Sequence, residues 1–290
     1  MRHSQLKAFH HVALLGGFSR AAEALHLTQP AISEQVRKLE QDHDILLFTR
    51  QHKRVALTPQ GEGLFHLTKQ YFGTEAQIGE FLSEARSAVD GTLRIIADSA
   101  HHMTGILTRF RTRYPNVVVS LRTGNTGEVL KALRSYDAEI GVAGSLSPGR
   151  DMDTVALGAT EIIGFAARDL LPAGTHCLSL NELENWPLIF REVGSKTRQK
   201  LADEARKQGV ILTPSIEAEG RETVRELVAS GAGIGFVSRA EFGHDNRLVK
   251  VALSDIDISM SETIACLSQR REVKVIRAFM EIAGAKAQVF

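Results

Sequence analysis

Residues 18–40 read FSRAAEALHLTQPAISEQVRKLE, and this stretch decides the fold of the N-terminal part of the chain. Its spacing predicts two short helices joined by a turn at Leu27 and Thr28. Thr28 is suited to cap the second helix and Pro30 to its first turn, where the missing proline N–H is not needed. A tight turn before a polar second helix places a helix in the DNA major groove, although a plain helical hairpin has the same spacing.

The flanking residues favour the DNA-binding interpretation. Residues 5–14 predict a preceding helix that ends at Gly16 and Gly17, with Ser19 capping the next. Two apolar runs, 46–50 and 55–58, flank a polar tip and predict a two-stranded wing. Basic side chains at this tip can contact phosphates or the minor groove, and a solvated hairpin tip is the alternative.

Residues 59–90 predict one long amphipathic helix. Its apolar side chains recur at alternating steps of three and four residues, as in a coiled coil. This stripe could pack on its own domain, but its position between two domains favours a partner chain. The predicted dimer contacts are Leu64, Leu67, Tyr71, Ile78 and Phe81.

From Gly91 onward, strand-like and helix-like segments alternate, which is typical of an α/β domain with a largely parallel sheet. Polar loops follow the predicted strands at the carboxyl ends, where open α/β sheets bind ligands. Glycine and hydroxyl residues at helix N-termini favour a small anion. The residues predicted to bind it are Asp98, Ser99, Ala100, Asn125, Thr126, Gly144, Ser195, Thr197, Arg198, Arg221 and Glu222.

Arg198 is predicted to bind a carboxylate or phosphonate through two hydrogen bonds. The alternative is that Ser195 and Thr197 only cap a helix while Lys196 and Arg198 lie in solvent.

Composition bounds the class of protein. The 290 residues are 43% hydrophobic and 24% charged, as in globular domains. No apolar run approaches the ~20 residues that span a bilayer, and the N-terminus does not predict a secretion signal. Cys177 and Cys266 match no metal-ligand spacing and are expected to be small buried residues in a reducing compartment, so the cytoplasm is the expected location. Residues 1–70 hold nine Lys or Arg against six Asp or Glu, a mild basic bias.

Catalytic motifs are missing from the sequence. The glycines at 231, 233 and 235 lack dinucleotide-binding spacing, and no G-x-S-x-G, H-E-x-x-H or P-loop occurs. Adjacent histidines such as His101 and His102 point apart and do not easily share an ion. We therefore expect no enzyme activity, metal or cofactor, while an enzyme or a ligand-binding protein without DNA function remains a rival class.

Several segments resemble LysR-type transcriptional regulators. Residues 18–40 closely resemble the signature of that family, LFTR at 47–50 and LTPQG at 57–61 match its wing and linker helix, and residues 91–95, 113–117 and 231–237 resemble its effector domain. The resemblance implies a winged helix-turn-helix at 1–58, a dimerising linker helix at 59–90, and an α/β effector domain of two Rossmann-like lobes at 91–290, folded like periplasmic binding proteins. It also implies homodimers that pair into homotetramers on a bipartite double-stranded DNA site.

The resemblance also implies roles for individual residues. Base edges are expected at Gln29, Pro30, Ala31 and Ser33, since glutamine can pair with adenine and small residues can meet a thymine methyl group. Phosphate or minor-groove contacts are expected at Thr28, Arg37, Arg50, Lys53 and Arg54.

Residues 124–126 and 191–198 resemble a narrower group of regulators associated with 2-aminoethylphosphonate catabolism. For that ligand, Asp98, Glu192 or Glu222 could bind the ammonium group. Another organic acid or amino acid is the alternative effector. Closure of the two lobes on the effector is expected to shift the population of DNA-bound states, with RNA polymerase as a further candidate partner.

Overall fold

The computed structural model of the chain describes residues 1–51, 54–82, 89–146 and 149–287. Lys53 lies outside the described residues, as do the side chains of Arg50, Arg54 and Phe81. The chain divides into two compact units, Met1–Ser87 and Ala88–Phe290. Among the described helices, none combines the length and the apolar character that crossing a membrane requires.

The N-terminal unit contains three helices, a hairpin and a long fourth helix. These are α1 (His3–Leu15), α2 (Phe18–Ala24), α3 (Gln29–His43), β1 (Phe48–Gln51), β2 (Arg54–Leu57) and α4 (Pro59–Leu82). Strands β1 and β2 pair antiparallel. Apolar side chains on the inner faces of the helices form the core, among them Phe9, Val12, Ala21, Ile32, Val36 and Leu39.

The helix ends of this unit follow local chemistry. Gly16 ends α1 in the left-handed conformation, at φ 67°, which glycine adopts without strain. The Thr28 hydroxyl accepts a hydrogen bond from the Ala31 N–H at 3.4 Å, so Thr28 caps α3 as expected. The prediction that Ser19 caps α2 is wrong, because α2 begins at Phe18, which packs against the core, and Ser19 lies inside the helix.

The C-terminal unit is built on one ten-stranded mixed sheet. Its helices are α5 (Thr104–Arg113), α6 (Thr126–Arg134), α7 (Leu180–Leu183), α8 (Lys196–Lys207), α9 (Arg221–Ala229) and α10 (Lys274–Ala287). Its strands are β3 (Gly91–Ala97), β4 (Val117–Thr123), β5 (Ile140–Gly144), β6 (Met152–Ala167), β7 (Cys177–Leu178), β8 (Leu188–Arg191), β9 (Ile216–Ala218), β10 (Ile234–Ser238), β11 (Leu248–Leu253) and β12 (Ser259–Leu267). The main strand order is β4-β3-β5-β12-β6-β10-β8-β9.

Two lobes share this sheet. In the first lobe, β3, β4 and β5 are parallel and pack with α5 and α10, while in the second β8, β9 and β10 are parallel. Strand β6 joins the lobes, since Met152–Glu161 pairs with β12 and Ile162–Phe165 pairs with β10. Both of these pairings are antiparallel, so the expectation of a largely parallel sheet is corrected to a mixed one.

Candidate functional site

The N-terminal end of α3 forms an exposed polar surface. Thr28, Gln29 and Pro30 are exposed, and the Gln29 amide donates a hydrogen bond to the Ser33 hydroxyl at 2.6 Å. The first turn carries no acidic residue. An exposed N-terminus without carboxylates favours phosphate, because free N–H groups and the helix dipole both attract negative charge.

Arg37, also on α3, is held by neighbouring side chains. Its guanidinium donates to both carboxylate oxygens of Glu34, at 2.7 and 2.8 Å, and to Gln41. This contact holds the pKa of Glu34 below its usual value. To bind a phosphate, Arg37 must therefore break its hydrogen bonds with Glu34 or keep only one of them.

Helix α4 has two different apolar faces. Leu64, together with Phe65 and Phe72, packs against the core of the N-terminal unit. An adjacent face exposes Leu67 by 59% and Ile78 by 56%. Leu67 and Ile78 are thus exposed, whereas Leu64 packs in part against its own unit and Tyr71 is 46% exposed with its ring against His3 and Phe72.

A polar cavity of about 510 Å³ opens between the two lobes of the C-terminal unit. It is lined by strand ends and by the first turns of helices from both lobes: Asp98, Ser99, Ala100, Thr123, Gly124, Asn125, Glu128, Arg191, Glu192, Glu219, Gly220, Arg221, Glu222 and Thr223. Five of these residues are acidic and only two are basic. The lining therefore differs from that of a simple anion site.

A buried charge network connects the lobes beneath this cavity. Asp98, which follows β3, accepts a hydrogen bond from Arg191 Nη1 at 2.6 Å, and Arg221 Nη2 lies 3.5 Å from its other oxygen. The side chains of Asp98 and Arg191 are only 5% and 8% exposed. An ion pair this deeply buried depends strongly on each partner, because removing one leaves an uncompensated charge.

Glu192 extends the network on the second lobe. It accepts hydrogen bonds from Arg191 at 2.7 Å and from the Gly220 N–H at 3.1 Å. Burial opposes ionisation of this carboxyl, but these contacts outweigh burial and hold the pKa of Glu192 below its usual value. Arg191 and Glu192 thus remain charged in the cavity wall.

The predicted effector residues divide into two groups. The structure brings six of them together around the cavity: Asp98, Ser99, Ala100, Asn125, Arg221 and Glu222. The other five are not among the residues that line the cavity: Thr126, Gly144, Ser195, Thr197 and Arg198.

The second group is used inside the fold. The Thr126 hydroxyl donates to the Gly144 carbonyl, and the Ser195 hydroxyl caps α8 by accepting from the Arg198 N–H. Thr197 is buried, and Arg198 donates to Glu217 at 2.7 Å and to the Arg191 carbonyl at 2.8 Å. The Ser195 hydroxyl therefore caps α8, as in the alternative interpretation, and Arg198 is engaged by its own chain and is not among the lining residues.

Sequence reasoning missed Arg191 as a member of the cavity wall. Its partner Asp98 is 93 residues away along the chain, so no local spacing signals the pair. Only the position of Arg191 at the end of β8 places it near the ligand edge of the sheet.

Two family models match the chain. The model described as a bacterial regulatory helix-turn-helix protein of the lysR family matches residues 3–62, and the LysR substrate binding domain matches residues 86–288. The HTH-type transcriptional regulator CfxR of Cupriavidus necator is 30% identical over 262 residues, which cover 87% of this chain and 80% of CfxR.

Solved structures share the whole fold. A full-length OxyR variant from Pseudomonas aeruginosa aligns with a TM-score of 0.78 at 20% identity, covering 100% of this chain and 95% of that one. Full-length CbnR complexed with its target DNA aligns with a TM-score of 0.70 at 18% identity, covering 99% of this chain and 100% of CbnR. Together with the matched domains, these similarities confirm the helix-turn-helix and two-lobed architecture and a regulator rather than an enzyme. The chain belongs to the LysR family of DNA-binding transcriptional regulators.

Proposed function

We propose that this regulator reads DNA with α3, dimerises through α4, and is controlled by a small zwitterion bound between the two lobes. In this assignment residues 1–58 bind DNA, 59–90 dimerise and 91–290 bind the effector. The observation that carries the proposal is the cavity wall, where two arginines and five carboxylates from both lobes surround one space. A ligand with a single charge satisfies only one of these groups.

The α3 surface supports direct contact with base edges. Gln29 and Ser33 lie one helical turn apart and are already linked by a hydrogen bond, so both face one side of the helix. Glutamine can bond adenine in two places, and the small side chains of Pro30 and Ala31 allow approach to a thymine methyl group.

Phosphate contacts are proposed around this base-reading surface. Thr28 lies at the N-terminus of α3, where the helix dipole favours phosphate. Arg37 is exposed on the same helix, and Arg50 and Arg54 belong to the two strands of the hairpin. Lys53, which precedes Arg54 in the sequence, is proposed with them. These contacts position the protein on the duplex and carry no sequence information directly.

The exposed face of α4 is proposed to contact a second copy of the chain. Large apolar side chains exposed at a helical spacing are unfavourable in water. Dimers place two copies of α3 on two half-sites, and pairs of dimers form the tetramer that the resemblance implies.

The zwitterion proposal follows from how the cavity charges are paired. Arg191 is engaged by Asp98 and Glu192. Arg221 donates to Glu241 through Nη1, but its Nη2 lies 3.5 Å from Asp98, which is longer than a good hydrogen bond. Arg221, beside the exposed first turn of α9, is thus the group best placed to bind a carboxylate or phosphonate. Glu222 is exposed in the same wall and can accept an ammonium group.

This chemistry includes 2-aminoethylphosphonate and ordinary amino acids. Closure of the lobes on such a ligand would favour one arrangement of dimers on bent DNA, since an effector shifts states only by its differential affinity. Contact with RNA polymerase and a cytoplasmic location complete the proposed role.

Calorimetric titration of the full-length protein tests the effector class. We expect saturable binding of 2-aminoethylphosphonate or an amino acid such as β-alanine, and none of acetate or phosphate at equal concentration. Glu222→Gln should weaken zwitterion binding by about 10-fold or more, because it removes a charge-assisted hydrogen bond. Glu226→Gln is the matched control, since Glu226 lies one turn further along α9 and is not among the lining residues.

Two results would count against this effector class. Equal affinity for acetate and the zwitterions would indicate a simple anion site instead of a zwitterion site. An unchanged affinity in Glu222→Gln would remove that carboxylate from the ligand contacts.

A further inference from the structure

Three side chains from distant parts of the C-terminal unit meet in a buried cluster, His102, Glu241 and Glu262, which we call the His–Glu–Glu cluster. His102 lies in a 3₁₀ turn after β3, Glu241 in a 3₁₀ turn after β10, and Glu262 in β12. Nε2 of His102 is 3.4 Å from Oε1 of Glu241 and 3.8 Å from Oε1 of Glu262. None of the three is among the residues that line the cavity between the lobes.

One polar group of this cluster has no hydrogen-bond partner in the described part of the chain. Nε2 of His102 is buried and has no hydrogen-bond partner among the described residues. Glu262 is only 4% exposed, and its Oε1 lies 3.8 Å from Nε2 of His102. Buried polar groups are almost always hydrogen-bonded, so the unsatisfied Nε2 of His102, facing two carboxylates, indicates a missing ion or ligand.

The charges in the cluster agree with a missing cation. Burial, followed by the nearby carboxylate of Glu241, raises the pKa of Glu262 to about 7. Burial also opposes ionisation of Glu241, but His102 and Arg221 outweigh it and hold the pKa of Glu241 below its usual value. Two carboxylates that meet in a buried site repel one another, and a cation between them would remove that repulsion.

We propose that His102, Glu241 and Glu262 bind one divalent transition-metal ion of the zinc class. The three ligating atoms all lie within 4.8 Å of one another. Tetrahedral bonds of ~2.0–2.1 Å place ligand atoms about 3.3 Å apart, so the two measured distances need only a small contraction. Three protein ligands leave a further position for water.

The donor set selects among divalent ions. Imidazole nitrogen with two carboxylates suits Zn²⁺ and its transition-metal neighbours, whereas Mg²⁺ and Ca²⁺ prefer oxygen ligands alone. Arg221 also donates a hydrogen bond to Oε1 of Glu241. Such an outer partner orients a ligating carboxylate, as is common around metal sites.

The three side chains of the cluster come from both lobes and from a strand beside their connection. His102 follows a strand of the first lobe and Glu241 follows a strand of the second, while β12 pairs with the connecting strand β6. An ion held by all three would join the lobes directly. The three ligating side chains are not proposed effector contacts, although Arg221, which is one, donates to Glu241. The proposal does not depend on the identity of the effector.

The test is a titration of metal-free, full-length protein with ZnCl₂ against a competing indicator dye. We expect one Zn²⁺ per chain in the wild type, with MgCl₂ giving no binding. His102→Ala and Glu262→Gln should each weaken Zn²⁺ binding by more than about 100-fold, since changes to outer partners alone cost about 10–100-fold. His101→Ala is the matched control, because this neighbouring histidine is exposed and outside the cluster.

Thermal unfolding provides the second readout. Zn²⁺ should raise the Tm of the wild type and of His101→Ala but leave that of Glu262→Gln unchanged. If His102→Ala does not fold, the near-isosteric Glu262→Gln provides the test instead. The proposal is overturned if the wild type does not bind Zn²⁺. It is also overturned if His101→Ala and the cluster variants bind it equally, which would indicate adventitious surface histidines.

Discussion

Asp98→Asn is expected to lower the free energy of unfolding of the C-terminal unit by about 3–5 kcal/mol, the usual result of breaking a buried ion pair. The substitution keeps the volume of Asp98 but removes its charge. Arg191, 8% exposed and 2.6 Å from Asp98, would then keep Glu192 as its one charged partner among the described residues, and Arg221 would lose its 3.5 Å ionic contact with Asp98. Urea unfolding of the full-length protein, followed by tryptophan fluorescence, measures the change, since Trp186 belongs to this unit.

Asp151→Asn is the matched control for this loss. Asp151 pairs with Arg134 at 3.0 Å, but the two side chains are 46% and 50% exposed. Exposed ion pairs contribute about 0–1 kcal/mol, so the same substitution should have little effect there. Equal losses in the two variants would show that the network beneath the cavity does not hold the lobes together.

Ile78→Glu is expected to convert the dimer into monomers. The affinity for DNA should then fall by about 100-fold or more, because a monomer binds one half-site and loses the gain in affinity from binding two at once. The side chain of Ile78 is 56% exposed on the free face of α4, so a charge there would be buried only in a dimer interface. Sedimentation velocity measures the oligomeric state, and fluorescence anisotropy with a labelled duplex measures the affinity.

Ile211→Glu controls for the chemistry of the substitution. Ile211 is 74% exposed in the C-terminal unit, and the same charge should leave both readouts unchanged. If Ile78→Glu sediments as the wild type does, the free face of α4 is not the dimer contact.

The N-terminal unit could be predicted from sequence because its signals are local. Thr28 caps α3 through a hydroxyl three residues from its partner, and Gly16 ends α1 where glycine alone is unstrained. The two-lobed architecture also followed, but from resemblance. Strand β6 was not predicted, because its burial alternates up to Glu161 and becomes continuous where it enters the second lobe. A strand whose apolar residues change from alternating to continuous has no simple sequence pattern.

The cavity could be predicted only in part, since its chemistry depends on long-range pairing. Asp98, Asn125 and Glu222 follow or begin elements at the ligand edge of the sheet, and that position could be inferred. Ser195 and Arg198 have the same local pattern, yet one caps a helix and the other binds Glu217. A helix cap and a ligand contact share one sequence signature, so only the three-dimensional structure distinguishes them.

The affinity of α3 variants for a selected duplex tests most directly whether α3 reads DNA. The duplex is the sequence that the wild type enriches from a random pool, and all titrations use one salt concentration because phosphate contacts depend on salt. Gln29→Ala and Ser33→Ala should each weaken binding by about 10-fold or more, since a good base contact contributes about 1–3 kcal/mol. Gln60→Ala, exposed at the start of α4, should bind as the wild type does. Undiminished binding by both α3 variants would contradict DNA reading by α3.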